Sequence, residues 1–151
     1  MIFKQFRGLS VTLSLALLPL AAHANGQDDA VLGAYDAYRA GDALRLARYA
    51  KKLEGHVLAP WAAYWRVALG LEDAATSDVR AVLDAYKGTY VAERLRGDWL
   101  KVLGKRGDWP EFEREAALYA RDDLEIRCYG FLARIARGDD SALGDAAPVW
   151  L

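Results

Sequence analysis

The stretch AERLRGDWLKVLGKRGDWPEF, residues 92–112, carries the tetrapeptide Arg-Gly-Asp-Trp twice, at 96–99 and again at 106–109. Its flanks give the two copies opposite readings. Val91, Leu95, Trp99, Val102 and Leu103 recur at threes and fours straight through the first copy, so one helix face continues across it. Gly97 is then a helix-interior glycine, which costs about 1 kcal/mol relative to alanine. Close approach of a neighbouring helix is the compensation that would justify it. Arg94 and Asp98, four apart, form a weak pair on the same helix. The second copy falls between two periodic segments. Gly107 suits a left-handed helix end, Asp108 suits the cap of the next helix, and Pro110 and Glu111 suit its first turn. An adhesive loop motif would need an exposed loop, and the first copy is not one.

Working outward, the rest of the chain from Asn25 onward reads as helix after helix. Val79, Val82, Leu83 and Tyr86 form one apolar stripe, Phe112, Ala116 and Tyr119 another, and Leu124, Cys128, Phe131, Leu132 and Ile135 a third. No segment alternates as a strand would. The breaks repeat the chemistry of the second Arg-Gly-Asp-Trp. Ala40-Gly41-Asp42 and Arg137-Gly138-Asp139-Asp140 pair a glycine stop with an aspartate start. Pro60 marks another helix start. These signals predict helices over 29–40, 43–54, 60–71, 77–87, 90–104, 109–121, 123–137 and 140–150. Short connectors make neighbours antiparallel. The expected fold class is all-α, an α-solenoid or superhelix of stacked antiparallel helical hairpins.

The first 24 residues read differently. Lys4 and Arg7 precede the uncharged run LSVTLSLALLPLAA (9–22), and Ala22-His23-Ala24 presents small residues at −3 and −1 of a cut before Asn25. That order is a secretory signal peptide. The run is shorter than the ~20 residues of a spanning helix and Pro19 interrupts it, so no stable membrane anchor is expected after cleavage. The expected domain is 25–151, and it is expected to be exported. The 151-residue chain has 20 basic and 21 acidic residues. Loss of Lys4 and Arg7 leaves 18 against 21, a mildly acidic balance that disfavours nucleic acid as a partner. Cys128 is the only cysteine, so stability rests on packing rather than on an intrachain disulfide.

No catalytic constellation emerges. His56 is the only histidine after the leader and reads as a loop anchor, so no metal or cofactor is expected. Cys128 sits on an apolar stripe and reads as a buried, inert thiol. Asp28-Asp29, Asp122-Asp123 and Asp139-Asp140 fall at expected helix starts, where the helix dipole accounts for them. Arg45, Arg48 and Lys52 share one helix face and Arg94, Lys101 and Lys105 another, both read as solvated. Trp61, Tyr64 and Trp65 form an i, i+3, i+4 aromatic cluster. Core packing explains that spacing, yet Trp61 and Trp65 are also the candidate glycan contacts, because flat rings stack on sugar faces.

Four phrases in order, HVLAPWAAYWRVAL (56–69), AERLRGDWLKVLGKRGDWPEF (92–112), LEIRCYGFLARIARGD (124–139) and APVWL (147–151), resemble the N-terminal helical domain of the soluble lytic murein transglycosylase family. Val57, in place of a proline, and Gly97, in place of a better helix former, depart from that pattern. The resemblance implies a periplasmic parent enzyme that cleaves the β-1,4 bond between N-acetylmuramic acid and N-acetylglucosamine without water, leaving a 1,6-anhydro ring. It implies peptidoglycan glycan strands as the partner and a superhelix that helps hold them. The family's glutamate lies in a separate lysozyme-like domain, and its Glu-Ser motif does not occur in these residues. The expectation is therefore an N-terminal piece of such an enzyme, whose coding sequence continues beyond Leu151, with no catalytic residue of its own. A free-standing exported α-solenoid that binds without catalysis is the alternative.

Overall fold

The structure, a computed structural model, describes residues 21–150, with side-chain environments for 26–149. Among these it contains eight helices and no strand: α1 (Ala21–Arg39), α2 (Ala43–Lys52), α3 (Ala59–Ala68), α4 (Thr76–Ala85), α5 (Tyr90–Arg106), α6 (Trp109–Ala116), α7 (Leu124–Ala136) and α8 (Ser141–Trp150). The all-α expectation holds. The expected leader, residues 1–24, lies largely outside the described residues. α1 begins at Ala21, eight residues before the expected start, so Asp28 and Asp29 stand inside a helix rather than at its N-terminus.

The glycine-aspartate strings make the turns. Gly41, Gly107 and Gly138 have φ of +71°, +70° and +85°. At each, the aspartate N–H reaches back to a carbonyl five residues earlier: Asp42 to Ala37, Asp108 to Leu103, Asp139 to Arg134. The glycine N–H takes a carbonyl three residues back. This double closure is the Schellman motif, which satisfies the orphan carbonyls of the ending helix. The aspartates then differ. The Asp42 carboxylate accepts from the Arg45 N–H at 2.8 Å, and Asp139 accepts from the Ser141 N–H at 3.1 Å. Asp108 makes no side-chain cap. Pro110 removes one of the N–H groups the carboxylate would take, and Glu111, expected to help close that cap, turns instead to Arg80.

Helix α6 ends at Ala116, five residues earlier than expected. Its last turn tightens through Leu118 N–H to Glu115 and Tyr119 N–H to Ala116. The Ala120 N–H then bonds the Glu93 carboxylate of α5 at 3.3 Å. This bond ties the connector down and directs Tyr119 onto Gly97. A Cβ on Gly97 would lie 2.8 Å from the Tyr119 hydroxyl. The helix-interior glycine is thus explained by close approach, though by a connector side chain rather than a helix. Gly104 on α5 meets the ring of Tyr129 on α7, and Gly33 on α1 meets Tyr49 on α2, in the same knob-and-notch manner.

Helix α5 is the central element. Val91, Leu95, Trp99, Leu100, Val102 and Leu103 are buried along it, with Trp99 among the largest fully enclosed side chains. Each described helix contacts its chain neighbours, and α1, α3, α5 and α7 also touch in succession, while α1 and α8 do not meet. A charged network crosses the α4–α5–α6 seam. Arg80 pairs with Glu111 at 2.5 Å. Glu111 also takes Arg114 at 2.7 Å, and Arg96 bridges Glu93 at 2.6 Å and Glu115 at 3.1 Å. Glu111 and Glu115 are the buried charged residues, and no buried side-chain polar atom among the described residues lacks a partner. That full satisfaction is what makes burying carboxylates tolerable.

Candidate functional site: an aromatic cleft between α1, α3 and α5

The start of α3 is built by Pro60, whose fixed φ suits a first helical turn. From there the i, i+3, i+4 spacing places Trp61, Tyr64 and Trp65 on one side of the helix. Helix α1 supplies Tyr35 and Tyr38, three apart, from across the gap. Trp65 packs against Tyr35 at 5.4 Å and Tyr38 at 6.1 Å between ring centroids. Trp61 joins Tyr64, Trp65 and, at the start of α5, Tyr90, at 5.8, 6.0 and 6.2 Å. Six rings therefore form one contiguous cluster. Five of them, all but Tyr90, line an open cleft of about 470 Å³ together with Val31, Leu58 and Arg94. That volume lies within the ~300–1,000 Å³ range of small-molecule sites.

The two tryptophans of the sequence reading both reach this cleft, in unequal roles. Trp65 is only 8% exposed and serves mainly as core. Trp61 is half-buried and lines the cleft. Tyr35, which lines the cleft, is 44% exposed, and Tyr90, behind Trp61 in the cluster, is 57% exposed.

A polar relay closes the α5 side. The Tyr64 hydroxyl donates to Asp98 Oδ2 at 2.7 Å and accepts from Arg94 Nε at 3.0 Å. Asp98 and Arg94 thus meet through Tyr64 rather than as the direct pair expected from their spacing. Burial pushes the Tyr64 phenol up to about 12, so it stays protonated at neutral pH. Its hydrogen bond to Arg94 raises that guanidinium above its ordinary value and keeps it charged. The Asp98 of the first Arg-Gly-Asp-Trp is consequently a positioning group for the cleft wall.

The other candidates resolve into structural roles. His56 Nδ1 accepts the Leu58 N–H at 3.2 Å and anchors its loop, as the sequence suggested. Cys128 is half-buried rather than fully buried. Lys101 is not on a free solvated face, since it bonds Asp123 at 2.9 Å and Glu125 at 3.2 Å across the α5–α7 seam. Asp123 and Asp139 cap α7 and α8. Ser141 and Arg134 hold the Asp139 carboxyl down at about 2, the opposite of a general acid's requirement. Among the described residues no group of three His, Cys, Asp or Glu side chains could hold a metal ion. No described helix is long and apolar enough to cross a membrane.

Sequence reasoning found the α3 half of the cleft and missed the α1 half. The signal was present, because Tyr35 and Tyr38 have the same i, i+3 spacing as Trp61 and Tyr64. Arg94 was visible as a helix-surface cation and a partner for Asp98, but not as a cleft residue, since that role depends on α3 packing beside α5. No protein-family model, curated protein or solved structure matches this chain.

Proposed function

We propose that this chain is a non-catalytic, glycan-holding helical module of a periplasmic peptidoglycan lytic transglycosylase, an N-terminal piece of such an enzyme. In this reading the parent enzyme cuts the N-acetylmuramic acid–N-acetylglucosamine bond without water, and the present helices hold the strand. The observation that carries the reading is the aromatic cleft. The ordered phrases that resemble the family include the Trp61–Trp65 helix and the α5 helix, and both line it. Sugar rings present flat C–H faces that suit such rings, and the hydroxyl and guanidinium of Tyr64 and Arg94 offer hydrogen bonds beside them.

The contact pattern supports a superhelical arrangement. Contacts run from each helix to its chain neighbour, and α1, α3, α5 and α7 touch in succession, a pattern that stacked hairpins would give. An extended array of this kind suits a polymer better than an enclosed pocket would. Cosedimentation with purified peptidoglycan sacculi tests the reading. The chain should pellet with sacculi and remain in solution without them. A chain that stays in the supernatant at all sacculus concentrations would sink the proposal.

A further inference from the structure

The cleft combines rings with guanidinium groups in a way that a neutral sugar does not need. Arg94 lies over Tyr64 at 5.5 Å from the ring centroid. Arg39 lies over Tyr35 at 6.0 Å and Arg121 over Tyr90 at 5.5 Å. All three rings belong to the cleft's cluster. None of the three guanidiniums lies within 4.0 Å of a described carboxylate, a state they share with Arg45, Arg48, Arg66 and Arg106, whereas Arg80, Arg96, Arg114, Arg127, Arg134 and Arg137 each have one. Arg94 lines the cleft itself. Its Nε is fixed by the buried Tyr64 hydroxyl, which Asp98 fixes in turn. The guanidinium is therefore held in orientation before any ligand arrives, by the Tyr64 hydroxyl and by a further hydrogen bond to Tyr90, and no described carboxylate forms an ion pair with it. Such a fork matches a carboxylate's two oxygens.

We infer that the cleft is a binding site for a carboxylated saccharide, with the sugar ring against Trp61 and an ionised carboxylate on Arg94. The inference rests on the glycan-holding reading and narrows it. In peptidoglycan the matching group is the free lactyl carboxylate of muramic acid whose stem peptide has been removed, or a carboxylate of the stem itself. Arg39 and Arg121, on rings of the same cluster, add positive potential that favours an anion in an otherwise mildly acidic chain.

Calorimetric titration with three probes tests this: stem-free glycan strands, strands with intact stems, and N-acetylglucosamine oligomers, which carry no carboxylate. The chain should bind at least one carboxylated probe about tenfold more tightly than the neutral oligomer, the size of one charge-assisted hydrogen bond. That preference should weaken with salt. Arg94→Gln should abolish the preference and its salt dependence, and cooperative thermal unfolding of the variant shows that it is folded. Arg94→Lys, which keeps charge but not the fork, should recover only part of the preference. Stem-free strands winning over stem-bearing ones assigns the lactyl carboxylate, and the reverse assigns the stem. Equal affinity for neutral and carboxylated probes, or an unchanged preference in Arg94→Gln, overturns the inference and leaves the glycan-holding reading standing. Binding to none of the three overturns both.

Discussion

Substituting alanine for Gly104 should loosen the α5–α7 contact, and the structure sets the size of the effect. Alanine in a helix interior gains about 1 kcal/mol over glycine. Against this, a Cβ on Gly104 would run into Tyr129 at Cγ and both Cδ atoms, with Cδ1 at 2.6 Å. Cγ is one bond from the Tyr129 Cβ, so the ring cannot swing aside without moving α7. Overpacking of this kind costs ~1–3 kcal/mol, and contact at the ring's root places it in the upper part of that range. The net expectation is a loss of about 1–2 kcal/mol, or about 4 °C in Tm per kcal/mol for a domain of this size. Gly97→Ala meets chiefly the hydroxyl end of Tyr119, on a connector, and should be nearly neutral. Gly130→Ala and Gly144→Ala meet nothing within 4 Å and should gain up to about 1 kcal/mol each. Urea unfolding followed by helical circular dichroism ranks the four variants. A Gly104→Ala variant as stable as the parent would refute the close packing of α7 on α5.

Removing the Glu115 carboxylate should leave Arg96 half-paired in a largely enclosed site. Glu115→Ala is expected to cost about 2 kcal/mol in urea unfolding, and a loss below about 0.5 kcal/mol would show that the seam does not depend on it. Thr89 caps α5 by accepting the Ala92 N–H at 3.2 Å and donates to the Tyr86 carbonyl at 2.7 Å. Thr89→Ala should cost about 1 kcal/mol in the same assay, while an unchanged midpoint would refute the cap. Asp139 is held at about 2, below its ordinary 3.8, by Ser141 and Arg134. Its contribution is therefore present above pH 4 and lost as pH falls toward about 2. The stability gap between parent and Asp139→Asn should persist at pH 5 and close by pH 2, and a gap independent of pH would contradict the assignment.

The local signals that do not depend on tertiary context were legible. The three Gly-Asp stops read correctly because a left-handed glycine and a backward-reaching N–H are local geometry. Gly97 read correctly as helix-interior because the α5 stripe runs through it. The end of α6 was not legible. Tyr119 continues the periodic stripe, and only its fit onto Gly97 and the Glu93 bond to Ala120 pull the chain out of the helix. Asp108 misled because the same dipeptide caps α2, and only the following Pro110 distinguishes the two. Half of the cleft was legible as the Trp61–Trp65 cluster. The Asp98–Tyr64–Arg94 relay was not, since its members lie 30 and 34 residues apart in sequence and meet only when α3 packs on α5.

The central claim is that the cleft holds a glycan through Trp61, and one comparison tests it most directly. Soluble glycan strands would be titrated calorimetrically into the parent chain and into Trp61→Ala, with the thermal midpoint of each recorded alongside. Trp61 is the informative choice because the more deeply buried Trp65 could not be removed without loss of the core. The account predicts binding by the parent and about tenfold weaker binding by a variant that still unfolds cooperatively. Undiminished affinity in a folded Trp61→Ala variant would contradict it.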